Sequence, residues 1–119
     1  MAAPRIRILI GDIIALGPGK ARLLEVIGET GSITAAARAM DMSYRRAWLL
    51  VDAMNNDFIA PLVERSAGGR GGGGSGLTDL GHEALQRYRR IEAVAAAAAA
   101  SEMQAFQDLL KETDKDQVD

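Results

Sequence analysis

Gly31-Ser-Ile-Thr-Ala-Ala-Ala-Arg-Ala-Met-Asp-Met-Ser-Tyr-Arg-Arg-Ala-Trp48 decides how the rest of this chain is read. Ser32 stands as an N-cap before a short run in which Ala35, Ala36 and Ala37 permit close packing on a neighbour. Asp41 to Ser43 is a turn, and Ser43 caps a further helix, expected over about residues 44–56. Ala47, Leu50, Val51 and Met54 form the apolar face of that helix, with Trp48 read as core at its edge, while Arg45, Arg46, Leu49 and Asp52 lie opposite. Two short helices joined by a tight turn, the second opening with exposed cations, have the layout of a helix-turn-helix.

Working outward, Pro61-Leu-Val-Glu-Arg65 and Leu77-Thr78 flank Ser66-Ala-Gly-Gly-Arg-Gly-Gly-Gly-Gly-Ser-Gly76, which predicts two short strands around a glycine loop carrying Arg70. A hairpin in this position would be a wing beside the helix-turn-helix. Gly69 to Gly74 also satisfies the GxGxxG dinucleotide pattern, but any run of glycines does so, and no βαβ unit surrounds it. A wing whose backbone approaches the sugar-phosphate surface, with Arg70 reaching a groove or phosphate, fits better.

Upstream, Arg5-Ile-Arg-Ile-Leu-Ile10 alternates like a strand, and Asp12 to Leu16 either extends it or belongs to the break before Gly17-Pro18-Gly19. A helix with a buried stripe is expected over about residues 20–29 and ends at Gly31. Downstream, nothing but Gly81 interrupts a helix from Thr78 or Asp79 to about Glu112. At 1.5 Å per residue it would be about 50 Å long, more than so small a domain can cover. Ala84, Tyr88, Ile91, Ala95, Ala98, Ala105 and Leu109 recur along it at spacings of a dimerisation seam. The predicted organisation is a winged helix-turn-helix with an N-terminal strand over residues 1–78, a long dimerisation helix over 79–112, and a charged, disordered tail over 113–119. The fold class is mainly α with a small β wing.

Composition narrows the functional classes. The 119 residues contain no cysteine, which excludes disulfides and thiolate metal sites. The longest apolar run, Ala93 to Ala100, is too short to span a bilayer, and no signal peptide is recognisable, so a soluble cytoplasmic protein is expected. The net charge of −2 divides unevenly. Residues 1–90 carry twelve Lys/Arg against nine Asp/Glu, and residues 91–119 two against seven. Attraction to phosphate depends on local potential, so the basic N-terminal part is compatible with nucleic acid despite the acidic whole. His82 is the sole histidine and reads as a helix-surface residue. No Ser/His/Asp or paired-acid constellation stands out, and no catalysis, metal or cofactor is expected.

The candidate DNA contacts are Ser32, Thr34, Ser43, Tyr44, Arg45, Arg46, Arg65 and Arg70. Arg45 and Arg46, in the first turn of the second helix, suit bidentate contact with guanine or with phosphate. Tyr44 either reaches a phosphate through its hydroxyl or packs. Ser32 and Thr34 are a cap and its neighbour, at a helix N-terminus that also attracts phosphate.

Thr34-Ala-Ala-Ala-Arg38, Met42-Ser43, Pro61-Leu-Val-Glu-Arg65 and Leu77-Thr78-Asp-Leu-Gly81 together resemble the winged-helix DNA-binding domain of LysR-type regulators. Gly31-Ser-Ile33, Ser43-Tyr-Arg-Arg-Ala-Trp48, Met54-Asn55 and Leu62-Val-Glu-Arg-Ser-Ala-Gly-Gly-Arg-Gly-Gly-Gly-Gly74 bring the chain closer to the ModE-type molybdate-responsive regulators, over about residues 18–90. The resemblance implies a homodimer binding inverted-repeat operators, with the recognition helix starting at Ser43, Tyr44, Arg45 and Arg46. It places the wing on Arg65, Arg70 and glycines 68–74. Members of that family carry C-terminal oxyanion-binding domains. Here the region beyond residue 91 offers alanines and carboxylates instead, so this chain is expected to lack the molybdate-sensing domain. The alternative function is a protein-interaction module that pairs with a full-length regulator and modulates it.

Overall fold

The computed structural model describes residues 5–66 and 74–111. Its elements run β1 (Ile8–Ile10), β2 (Ile13–Leu16), α1 (Pro18–Thr30), α2 (Ile33–Ala39), α3 (Tyr44–Asp57), β3 (Val63–Ser66), β4 (Gly74–Leu77) and α4 (Asp79–Gln107). This is the mainly α architecture with a small β wing that the sequence predicts, joined by a second antiparallel hairpin at the N-terminal end. Arg70, glycines 68–73 and the tail 113–119 lie outside the described residues.

The N-terminal strand is part of a hairpin. Asp12 to Leu16 turns back on β1, pairing Ile10 with Ile13 and Ile8 with Leu16 across an irregular register. Gly11, at the first position of the turn, has φ of 61°, which a two-residue hairpin of the II′ kind requires. The second strand is ambiguous in sequence because Ile13, Ile14 and Leu16 are equally compatible with one long strand; Gly11-Asp12 is the discriminating signal.

α1 starts with Pro18 at a position that needs no amide donor, and ends where Gly31 takes φ of 73° and donates to the Ile27 carbonyl at 2.8 Å. Ala21, Leu23, Leu24, Val26 and Ile27 bury its stripe. α2 presents Ala36 and Ala37 to this stripe, and α3 presents Ala47, Val51 and Met54. Small residues at the contact let α2 approach closely. Asp41 makes the turn between them at φ of 56°, a conformation that Asp tolerates better than most side chains.

β3 and β4 form the wing, with Val63 opposite Leu77 and Arg65 opposite Ser75. The Ser75 amide donates to the Gly31 carbonyl at 2.8 Å, tying the wing to the end of α1. Thr78 closes the hairpin. Its amide donates to the Leu62 carbonyl at 3.0 Å, its hydroxyl donates to the Pro61 carbonyl at 2.7 Å, and the same oxygen accepts from the Gly81 amide at 3.0 Å as the cap of α4.

α4 has 29 residues and closes at Asp108 through tight bonds from Leu109 and Leu110 to Phe106 and Gln107. It ends short of the expected residue 112. Its start belongs to the core: Tyr88 is 1% exposed, and its hydroxyl donates to the Ile6 carbonyl at 2.6 Å. Ala84 also packs against the core. The first two positions of the predicted seam are therefore used within one chain, because α4 must cover α1 before it can leave the domain. Arg89 bridges to Glu25 of α1 and to Glu92, and Arg22 holds the other side of Glu25. The Arg22 hydrogen bond and the nearby Arg89 charge lower the Glu25 pKa. Beyond this clamp α4 projects, giving the molecule a 53 Å long axis.

Candidate nucleic-acid interface

α3 stands between two clefts. The side chains of Tyr44, Trp48, Val51 and Asn55, spaced at about one turn, line a cleft of about 340 Å³ whose other wall is the wing at Val63, Glu64, Arg65, Gly74 and Ser75. Met42, Arg46 and Leu50 line a second cleft of about 670 Å³, opposite Arg5, Arg7 and the Gly17–Lys20 segment. Arg45, Leu49 and Asp52 line neither cleft and form the exposed crest between them; Leu49 is 46% exposed.

Both predicted caps form. The Ser32 hydroxyl accepts from the Ala35 amide at 3.0 Å, and the Ser43 hydroxyl accepts from the Arg46 amide at 3.1 Å. Each hydroxyl keeps its own proton for an outside acceptor. Ser32 and Thr34 border the wing-side cleft, so the start of α2 faces the same space as Tyr44 and Arg65. Arg45, Arg46 and Arg65 are exposed and make no ion pair among the described residues. The structure thus brings Ser32, Thr34, Tyr44 and Arg65 to one cleft and sends Arg46 to the other. Ser43 and Arg45 lie at the head of α3, and Arg70 lies outside the described residues.

Trp48 is corrected from core to surface. It is 45% exposed and lines the wing-side cleft with Tyr44, which is 53% exposed. Buried Ala47, Val51 and Met54 centre the inner face of α3, and a residue adjacent to Ala47 is rotated about 100° from it, as 3.6 residues per turn require.

Three features of the interface go beyond the residues expected from sequence. Asn55 accepts from the Leu62 amide at 2.8 Å and the Val63 amide at 3.1 Å, and donates to the Val63 carbonyl at 3.1 Å, fixing the wing strand to α3. Its signal is a polar side chain on the inner flank of an amphipathic helix just ahead of the wing. Arg38 shares a surface hollow with Thr34, Ser43 and Tyr44. Arg5 and Arg7, in sequence only the polar phase of a strand, line the hairpin-side cleft.

Among the described residues no group of His, Asp or Glu has the arrangement of a metal site, and no helix is long and apolar enough to cross a membrane.

Residues 19–82 match the model of the bacterial regulatory helix-turn-helix proteins of the lysR family. The chain is 49% identical over 78 residues to the molybdenum transport protein ModE of Azotobacter vinelandii, covering 66% of this chain and 29% of that protein. It is 45% identical over 86 residues to the molybdenum-pterin-binding protein MopB of Rhodobacter capsulatus, covering 72% and 32%. It is 41% identical over 71 residues to the DNA-binding transcriptional dual regulator ModE of Escherichia coli (strain K12), covering 60% and 27%. The chain therefore spans about a third or less of the length of these relatives. Among solved structures, a chain of the crystal structure of a CbnR_DBD-DNA complex superposes with a TM-score of 0.57 at 26% identity, over 73% of this chain and 94% of that one. The matched region contains α1 through the start of α4, with the caps, the turn at Asp41 and the wing. This chain belongs to the lysR family of bacterial regulatory helix-turn-helix proteins and, within it, carries a ModE-type DNA-binding domain.

Proposed function

We propose that the chain acts as a homodimeric, sequence-specific transcriptional regulator of the molybdate-responsive type, reading an inverted-repeat operator. The observation that carries this reading is the crest of α3. Arg45 stands exposed at its N-terminal end, without an ion pair among the described residues, and clefts on either side leave room for the two backbones bordering a major groove. In this reading Arg45 meets base edges. Ser32, Thr34, Tyr44 and Arg65 donate to phosphates on the wing side, Ser43 does so at the head of α3, Arg46 stands at the opposite border, and Arg70 of the glycine loop is a further contact.

Dimerisation fits the part of α4 beyond Tyr88, where Ile91 is 42% and Val94 is 63% exposed on a projecting helix. Alanines along the same stretch admit a close second helix. Two recognition helices would then lie about one DNA turn apart, about 34 Å, which calls for a palindromic site.

In vitro selection of duplexes against the intact chain, followed by gel-shift titration beside scrambled DNA, tests the reading. Enrichment of an inverted repeat that binds far more tightly than its scrambled version is expected. Equal affinity for both overturns sequence-specific regulation and leaves pairing with a full-length regulator, through the exposed face of α4, as the function.

A further inference from the structure

The cleft on the hairpin side of α3 is cationic. Arg5 and Arg7 enter it from the segment leading into β1, Lys20 from the first turn of α1 and Arg46 from the first turn of α3. No acidic side chain lines it, and Arg5, Arg7 and Arg46 make no ion pair among the described residues. By contrast, three arginines of α1 and α4 are neutralised in place: Arg22 by Glu25, Arg87 by Glu83, and Arg89 by Glu25 and Glu92. Three arginines without an ion pair, drawn from the N-terminal segment and α3, with no acid in the lining, create a local positive potential that attracts an anion from outside the chain.

The cleft is also held in shape. The Tyr88 hydroxyl fixes the backbone at Ile6, between the two arginines, to α4. The aliphatic stem of Arg7 lies over Gly17, where an added Cβ would stand 3.1 Å from Arg7 Cγ. The N-terminal segment is thus anchored on the side of α3 opposite the wing, and its guanidinium groups are presented from a fixed backbone.

We infer that the N-terminal arm is a second DNA clamp: Arg5 and Arg7, with Arg46, grip the phosphate backbone on the side of the major groove away from the wing. This rests on the DNA-binding reading and adds the N-terminal arm to Arg46 on the side of the recognition helix away from the wing. An extended polyanion fits better than a small ion, because the cleft is an open trough of about 670 Å³ and its cations are spread along it. Backbone contacts carry affinity without sequence information, so the arm sets how tightly the chain holds any duplex while the α3 crest chooses among them.

The test measures binding of the selected duplex, and of its scrambled version, against salt concentration for the intact chain and for R5Q/R7Q. Every phosphate that the variant no longer neutralises takes about 0.9 off the log–log salt slope, so the slope should become shallower by about two units per bound protomer. The ratio of specific to scrambled affinity should stay within about twofold, because phosphate contacts carry no sequence information. R22Q/R87Q, which removes two cations that line neither cleft, controls for net charge and should leave the slope unchanged. An unchanged slope in R5Q/R7Q, or the same change in R22Q/R87Q, overturns the clamp while leaving operator recognition standing. If selection enriches no duplex, the DNA-binding reading itself has failed. Calorimetry with inorganic phosphate separates the remaining source of the anion. No saturable binding is expected; stoichiometric binding abolished in R5Q/R7Q would make the trough a small-anion site and overturn the assignment to DNA.

Discussion

Asn55 and Val63 hold α3 and the wing together as one unit. The Asn55 carboxamide accepts from the Leu62 and Val63 amides and returns a hydrogen bond to the Val63 carbonyl, so the strand pairs with a side chain as it would with another strand. Asn55 lies three turns along α3 from Tyr44, at the inner end of the wing-side cleft. A tilt of the wing relative to the recognition surface would therefore have to break these bonds. Asn55→Ala leaves the two amides without a partner, and the expected loss is about 2–3 kcal/mol of folding stability. Urea denaturation should show a lower midpoint at unchanged slope. An unaltered midpoint would mean that the wing is positioned by Thr78 and Ser75 alone.

Gly81 and the Leu62 carbonyl oppose two simple expectations. Alanine in a helix is worth about 1 kcal/mol over glycine, so Gly81→Ala should stabilise α4 on propensity alone. A Cβ at Gly81, however, falls on the Leu62 carbonyl oxygen and stands 3.0 Å from its carbon. That oxygen is already engaged by the Thr78 amide, so it has little freedom to move. Overpacking against backbone costs about 1–3 kcal/mol or more, and the clash should win. A net loss of about 2 kcal/mol would lower the melting temperature by roughly 10 °C for a domain of this size. A rise on calorimetric scanning would show that the wing base yields.

Caps, helix stripes and the glycine-flanked wing are legible in the sequence because they are local patterns, and Ser32, Ser43, Gly31 and Thr78 stand where local chemistry puts them. Tyr88 departs from its expected place in the seam because a 3–4 stripe records only that a face is buried. Whether the covering surface belongs to the same chain depends on where α4 crosses α1, a tertiary relation. Trp48 departs for the converse reason: its size argues for burial, but its angular position puts it at the cleft. Arg5 and Arg7 carry no local mark of a site, because their neighbourhood with Arg46 exists only once the hairpin is folded beside α3.

The Tyr88 phenol supplies a pH dependence. Burial, reinforced by the Glu92 carboxylate, raises its pKa above the ordinary 10.0. With the folded pKa above the unfolded one, the native state keeps a proton that the unfolded chain releases. Its stabilisation is fully present below about pH 10 and declines as pH rises towards and through the folded pKa. Tyr88→Phe removes both this titration and the hydrogen bond to Ile6, at a cost of about 1 kcal/mol at neutral pH. Denaturation midpoints between about pH 8 and 11 should fall more steeply for the parent than for the variant. Parallel curves would exclude Tyr88 as the alkaline-sensitive group.

The projecting half of α4 yields the prediction about assembly. Ile91 and Val94 lie one turn apart just beyond the Arg89 clamp, and both are exposed, so charges placed there do not disturb the core of one chain. Ile91→Glu/Val94→Glu should fold with unchanged helical content yet sediment as a monomer, whereas the parent should sediment as a dimer at micromolar concentration. The same variant should bind a single half-site with the parent's affinity and lose only the gain from a second half-site, because each half-site is read by one α3 crest. A parent that is monomeric at micromolar concentration, or a double variant that remains dimeric, would move the dimer contact away from this stretch of α4.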